Sequence, residues 1–256
     1  MIYINKRSSV LAEWNMAIFV TGTDTNVGKT IISSWICLHL GWDYFKPIQT
    51  GGNSDNSFIS SITGVPAYDS IFSFSEPIAP HVAAKINGSS IDIFKIQLPK
   101  HRKSLSNKID SIPTTEHERS NFISAATQTK DWEKENNKIV IEGAGGVLVP
   151  LQKNGIKMVD LIRHLKVPVI IVSRSTLGTI NHTLLTLEAL RAREIKVLGV
   201  VINSTCEESL EYNSKAIAEY GSTEILATFP HLKEVTRDSI LSVQMHDSMK
   251  TLLESH

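Results

Sequence analysis

FVTGTDTNVGKTI, residues 19 to 31, runs from a short apolar pattern through a loop of small and polar residues to Gly28-Lys29-Thr30, which open a helical pattern. A strand, a loop and a helix start in that order make a cradle for phosphate. Successive loop N–H groups, the positive end of the helix dipole and the Lys29 ammonium converge on a polyphosphate, and the Thr30 hydroxyl reaches a bound Mg²⁺. The implied ligand is ATP or GTP. The spacing departs from the usual loop, because Gly22 lies one residue too far from Gly28 and Thr23 stands at the customary first glycine. Context supplies what spacing lacks: Ala17 to Val20 reads as a buried strand and Ile31 to Leu40 as a helix with one apolar face. An ordinary glycine turn would leave Lys29 and Thr30 unexplained at the helix start.

The chain has 256 residues, enough for one sizeable α/β domain. Basic and acidic residues balance at 26 each, so no global field draws it to nucleic acid or anionic lipid. Cys37 and Cys206 show no metal-ligand spacing and no pairing pattern, which fits a reducing cytoplasm. The longest apolar run, Val167 to Val172, is far short of the ~20 residues that span a bilayer. Residues 1 to 15 lack a secretory pattern and read as an extension ahead of Met16, with the functional domain spanning 16–256.

Beyond the first helix, Asp43 to Pro47 reads as a short strand and IQTGGNSDNS as a loop. Phe58 to Gly64 suggests a short helix. Pro77 and Pro80 punctuate the next stretch ahead of a helical run that Gly88 can end. Ile91 to Asn137 is polar, with a surface excursion at about 98–121 and a helix expected from Phe122 to Trp132. Strands follow at Lys138–Ile141, Val167–Ser173, Val197–Asn203 and Ile225–Phe229, and helices at Asn181–Arg193, Ser209–Tyr220 and roughly Ser239–Leu253. Apolar strands alternating with amphipathic helices imply a mostly parallel central sheet with helices on both faces, an α/β fold like that of P-loop nucleotide hydrolases.

Glu142 directly follows the strand KIVI, at the carboxyl edge of the sheet where ligands bind, and precedes Gly143, Gly145 and Gly146. Its carboxylate either holds a metal beside the phosphates or caps a turn. Asp55 is a second candidate ligand or an Asx-turn residue. Thr30, Asp55 and Glu142 together suffice for Mg²⁺, which keeps waters and phosphate oxygens in its shell. Lys46, between Phe45 and Pro47 at a buried strand end, either stabilises charge on a transferring phosphoryl group or snorkels at the sheet edge.

GTDTNVGKT, FKPIQTG, the NSD loop, EPIAPHVAA, VIEGAGGVLVPL, VPVIIVS leading into LGTINHTLLTLEAL, and GVVIN occur in that order from Met16 to about Pro230. Together they resemble the dethiobiotin synthetases. The resemblance implies ATP-dependent closure of a ureido ring from 7,8-diaminopelargonate and CO₂, through a carbamate and a carbamic-phosphoric anhydride. Lys46 and Lys29 then act on the phosphates and carbamate, and Thr30, Asp55 and Glu142 on Mg²⁺. Asn26, Val27, Gly28, Lys29, Thr30, Ile31, Gly143, Ala144 and Gly145 contact the nucleotide. Asn203 reads its adenine, flanked by Phe229, Pro230 and His231. Thr25, Thr50, Gly178 and Asn181 bind substrate, the last two across a homodimer interface. Asn26 stands where the family often has glutamate, so only its backbone role carries over. Without the family context Asn181 reads as a helix cap and Asn203 as a turn former, and His81 and His182 read as structural. Three other readings compete, one of them a non-enzymatic nucleotide-binding module, which would not need Lys46, Thr50 and the LGTINH segment together. A partitioning-type ATPase switch has a signature lysine five residues before the main one, where this chain has Asp24. The ATP domain of a cobyrinate-type amidating synthetase comes with a glutaminase domain.

Overall fold

The computed structural model describes residues 16–52, 55–99, 138–204 and 209–255. The N-terminal extension, nearly all of the polar excursion, the helix expected from Phe122 to Trp132 and Cys206 lie outside the described residues. The chain runs β1 (Met16–Gly22), α1 (Lys29–Leu40), β2 (Asp43–Phe45), β3 (Ile48–Thr50), α2 (Asp55–Thr63), β4 (Ala67–Tyr68), β5 (Phe72–Phe74) and α3 (Pro80–Ile86). Among the described residues a 3₁₀ turn (Ile93–Lys95) is then followed by β6 (Lys138–Gly146), α4 (Met158–Leu165), β7 (Val169–Arg174), α5 (Thr179–Arg191), β8 (Val197–Asn203), α6 (Leu210–Gly221), β9 (Ile225–Phe229), α7 (Arg237–Ser242) and α8 (Asp247–Glu254).

Among the described residues seven strands form one sheet in the order β4-β2-β6-β1-β7-β8-β9, and every pairing in it is parallel. Its central strands read as near-continuous apolar runs because both faces are covered. Alternate residues divide between the faces. Ile18, Val20, Val140, Ile170 and Val172 pack with Ile32, Trp35 and Ile36 of α1, whereas Phe19, Ile139, Ile141, Val169 and Ile171 pack with α4 and α5. From β1 the chain passes β6 to reach β2, and from β6 it crosses β1 the other way to reach β7. That reversal opens a crevice at the carboxyl ends of β1 and β6, where ligands bind in open α/β sheets.

Four expectations need correction. Ile48–Thr50 is no loop but a strand, paired in parallel with Phe72–Phe74 in a separate two-stranded sheet. Pro47 ends the run through β2, and its carbonyl accepts from Ile71 N and Phe72 N at 3.0 and 3.1 Å, which starts the new pairing. Pro80 opens α3 at its first position instead of breaking regular structure, since a proline there lacks only an N–H that would have no helical partner. The expected C-terminal helix is two, because the Val243 carbonyl accepts from Trp35 Nε1 at 2.7 Å and lies 3.0 Å from His39 Nε2, so the backbone turns extended there. Finally, α4 adds a helix where the sequence analysis placed none, burying Met158, Val159, Leu161, Ile162 and Leu165 at helical spacing.

Candidate active site

The loop after β1 follows the expected strand, loop and helix order. Gly28 holds φ 98° as the cap of α1, and Asn26 also sits in the left-handed region at φ 57°. Alternation of such residues turns successive N–H groups toward one side, which makes a concavity for anions. Lys29 folds back so that Nζ donates to Asp24 O at 3.1 Å, and Thr25 N donates to Asp24 Oδ1 at 2.6 Å. Burial lowers the Lys29 pKa from its ordinary value, against the opposing pull of Glu142, so the ammonium is short of charge partners and suited to receive an anion. A Cβ on Gly28 would lie 2.1 Å from Asn203 Nδ2 at a φ that L residues avoid. Gly28→Ala is therefore expected to weaken ATP binding by more than about tenfold in a calorimetric titration; unchanged affinity would show that the loop tolerates a shifted backbone.

Beside the loop lies a buried polar cluster assembled from four elements. Lys46 follows β2, Asp55 opens α2, Glu142 lies in β6 and Thr30 in the first turn of α1. Lys46 Nζ donates to Asp55 Oδ2 and, at 3.3 Å, to Glu142 Oε1. Thr30 Oγ1 donates to Glu142 Oε1 at 3.0 Å and reaches Asp55 Oδ1 at 3.5 Å. Tyr44 hydroxyl donates to the other Glu142 oxygen, Oε2, at 2.9 Å. The Glu142 side chain is 1% exposed and that of Lys46 9%, so neither charge is tolerable alone, an unpaired buried ion costing several kcal/mol. Burial is the largest single influence on Lys46 and pulls its pKa down, but Glu142 and Asp55 outweigh it and leave the ammonium held above its usual value. A lysine snorkelling at the sheet edge is thereby excluded.

The donor set suits a hard divalent cation: two carboxylates and a hydroxyl, all oxygen, gathered on one spot beside a phosphate loop. Asp55 is a first-turn helix residue, where a carboxylate is favoured by the helix dipole. Glu142 lies inside β6, which runs on to Gly146. At Gly143 the space for a Cβ is filled by the Phe19 ring at 2.8 Å, and at Gly145 by Val149 Cγ2 at 2.7 Å. Glycine at those two positions is demanded by internal packing, before any ligand is considered. Ala144 is buried between them.

Asn203, at the end of β8, donates from Nδ2 to Val27 O at 3.0 Å, so it reaches the phosphate loop and is not a turn former. Phe229 pairs in register with Asn203 across β8 and β9, and Ser204 N donates to Phe229 O at 2.7 Å. Its ring is buried and meets Trp35 edge-on with centroids 5.5 Å apart, whereas Pro230 and His231 beyond it are exposed. Ile31 and Thr50 are half-buried, Thr50 ending β3. Gly178, at φ 90°, caps α5 without a side chain. A hollow links the two regions, bounded by Thr23, Asp24 and Val27 on one side and Arg174, Thr176, Leu177, Thr179 and His182 on the other. Asn181 stands exposed on the outer surface. His182, in the first turn of α5, is likewise exposed and faces this hollow; His81 Nδ1 is buried without a hydrogen-bond partner among the described residues. Sequence reasoning missed Tyr44 and Arg174. Tyr44 was accessible in principle, lying two residues before Lys46 and hence on the same side of an extended chain.

A family model described as an AAA domain matches residues 16–239. The chain is 86% identical over 240 residues to an ATP-dependent dethiobiotin synthetase of Neorickettsia sennetsu, covering 94% of this chain and 96% of that one. It is 39% identical over 239 residues to an ATP-dependent dethiobiotin synthetase of Lawsonia intracellularis, covering 93% and 98%. Among solved structures, a ParA family ATPase from Chlorobium tepidum TLS aligns over 94% of this chain and 97% of its own at 14% identity, with a TM-score of 0.44.

Proposed function

We propose that this chain, which belongs to the family of ATP-dependent dethiobiotin synthetases, closes the ureido ring of dethiobiotin from 7,8-diaminopelargonate, CO₂ and ATP in biotin synthesis. One substrate amine takes up CO₂ as a carbamate. A carbamate oxygen attacks the γ-phosphorus and ADP leaves. The second amine then attacks the carbonyl carbon of the carbamic-phosphoric anhydride, phosphate departs, and the ring closes. No covalent enzyme intermediate is needed, so the work of the protein is positioning and charge stabilisation. Cys37 fits that picture, since burial, with Asp43 and Glu142 nearby, pushes its thiol pKa well up and leaves it a poor nucleophile.

Lys29 holds the terminal phosphates and Lys46 stabilises charge on the transferring phosphoryl group. Thr30, Asp55 and Glu142 would hold Mg²⁺, which supplies neutralising charge to the phosphate oxygens. With Nδ2 engaged by Val27 O, Asn203 keeps its Oδ1 acceptor for a base amino group, which suits adenine. Thr25 and Thr50 face the diamine. Gly178 and Asn181 serve the substrate of a second copy: Leu177 beside them has a fully exposed side chain, and Leu185, two turns on, is half exposed, as expected of a face covered in a homodimer. No helix among the described residues is long and apolar enough to cross a membrane; the site of action proposed for this ligase is the cytoplasm.

The observation that carries this reading is the buried Lys46 ammonium between Asp55 and Glu142, beside the phosphate loop. Phosphate release should require 7,8-diaminopelargonate and bicarbonate together. Turnover of ATP at the same rate without either would remove the ligase assignment.

A further inference from the structure

Three carbonyls of the phosphate loop are each gripped by a polar side chain. Lys29 Nζ donates to Asp24 O at 3.1 Å, Arg174 Nη2 to Thr25 O at 2.8 Å, and Asn203 Nδ2 to Val27 O at 3.0 Å. Lys29 belongs to the loop, but the other two reach in from the ends of β7 and β8, 149 and 176 residues away in sequence. In a planar trans peptide the C=O of one residue and the N–H of the next point in opposite directions. A donor holding the Thr25 carbonyl therefore turns the Asn26 N–H away from itself, and one holding the Val27 carbonyl does the same for Gly28.

We propose that Arg174 and Asn203 are positioning residues for the phosphate site, fixing the 25–26 and 27–28 peptide units so that their N–H groups are presented to the triphosphate before it arrives. The loop needs such restraint. Asn26 is left-handed without being glycine, and strained backbone of this kind persists only where its surroundings over-determine it. Both straps rise from the sheet, whose central strands are buried on both faces, so they tie the loop to the stiffest part of the molecule. Hydrogen bonds aligned in advance cost no ordering when the anion binds, which is where their contribution to affinity comes from.

This inference rests on reading residues 23 to 30 as the ATP phosphate site, and the test separates the two. Calorimetric titrations of the full chain with Mg²⁺ would compare ATP with tripolyphosphate, which has the phosphates and no base. Asn203→Ala is expected to weaken tripolyphosphate by about tenfold, the loss of one part-buried hydrogen bond to the loop, and ATP by at least as much, since its base contact is lost too. Arg174→Ala should weaken both several-fold, with Arg174→Lys recovering most of the loss. The thermal midpoint of the ligand-free variants should stay close to the parent, so that a loss of affinity reports the site and not the fold. A loss confined to ATP, with tripolyphosphate binding intact in both variants, would overturn the positioning role and leave Asn203 as a reader of the base. Failure of the parent to bind either ligand would overturn the phosphate-site reading itself. Should Asn203→Ala not fold, Arg174, half-exposed at a strand end, carries the same comparison.

Discussion

Lys46→Ala is expected to lower kcat by about 10²–10³-fold while ATP affinity stays within a few-fold. The asymmetry follows from what touches what. Lys29 stands at the start of α1 beside the loop and is short of charge partners, so in the proposed function it meets the anion in the ground state. Lys46 is committed to Asp55 and Glu142, and its charge gains most when negative charge builds on a phosphoryl group in transfer. Substrate binding thus loses little and the transition state much. The variant also leaves Glu142, nearly inaccessible to water, facing Asp55 without the shared cation, so the ligand-free protein should lose on the order of 3 kcal/mol in urea unfolding. Turnover must be measured where circular dichroism shows the variant folded. An unchanged kcat there would dismiss Lys46 from the chemistry. Lys46→Arg should recover stability better than turnover, because a planar fork keeps the charge but does not place it as a compact ammonium does.

What could be read from the sequence was what local pattern encodes. β1, α1, β8 and β9 announce themselves through apolar runs and helical spacing, and Lys46 and Glu142 stand out as charges at the ends of such runs. What stayed hidden was fixed by distant partners. The strand Ile48–Thr50 exists through pairing with Phe72–Phe74, three residues against three, too short for periodicity to register. The break between α7 and α8 depends on Trp35, 208 residues earlier, taking the Val243 carbonyl. Tyr44 acquires its role from Glu142, 98 residues on, and Arg174 from a backbone carbonyl whose orientation no side-chain pattern records. In the site as in the fold, residue type marked the candidates and tertiary contact brought them together.

Glu142 anchors the buried cluster and, in the proposed function, also serves the chemistry, so its two simplest substitutions should separate the two parts. Glu142→Ala removes the acceptor of the Tyr44 hydroxyl, one acceptor of Thr30 and one of the two countercharges of Lys46, all in a buried setting. Burial is the first cause of the raised Tyr44 pKa, with Glu142 next, so the phenol stays neutral and is left a donor with no acceptor. Orphaned buried donors cost about 1–3 kcal/mol each, and breaking a buried ion pair about 3–5 kcal/mol. A loss of about 3–5 kcal/mol is expected, since Lys46 keeps Asp55 and part of the cost is recovered. Glu142→Gln keeps the shape and an amide oxygen for Tyr44, and should cost less than half as much. Its turnover should nevertheless fall by about 10²-fold or more, because the oxygen set offered to Mg²⁺ loses one of its two carboxylates. Excess Mg²⁺ should recover part of that loss in Glu142→Gln and none of the stability lost in Glu142→Ala. Equal stability of the alanine variant and the parent would show that the cluster does not hold the fold. Full turnover in the glutamine variant would show that the charge of Glu142 is not used in the reaction.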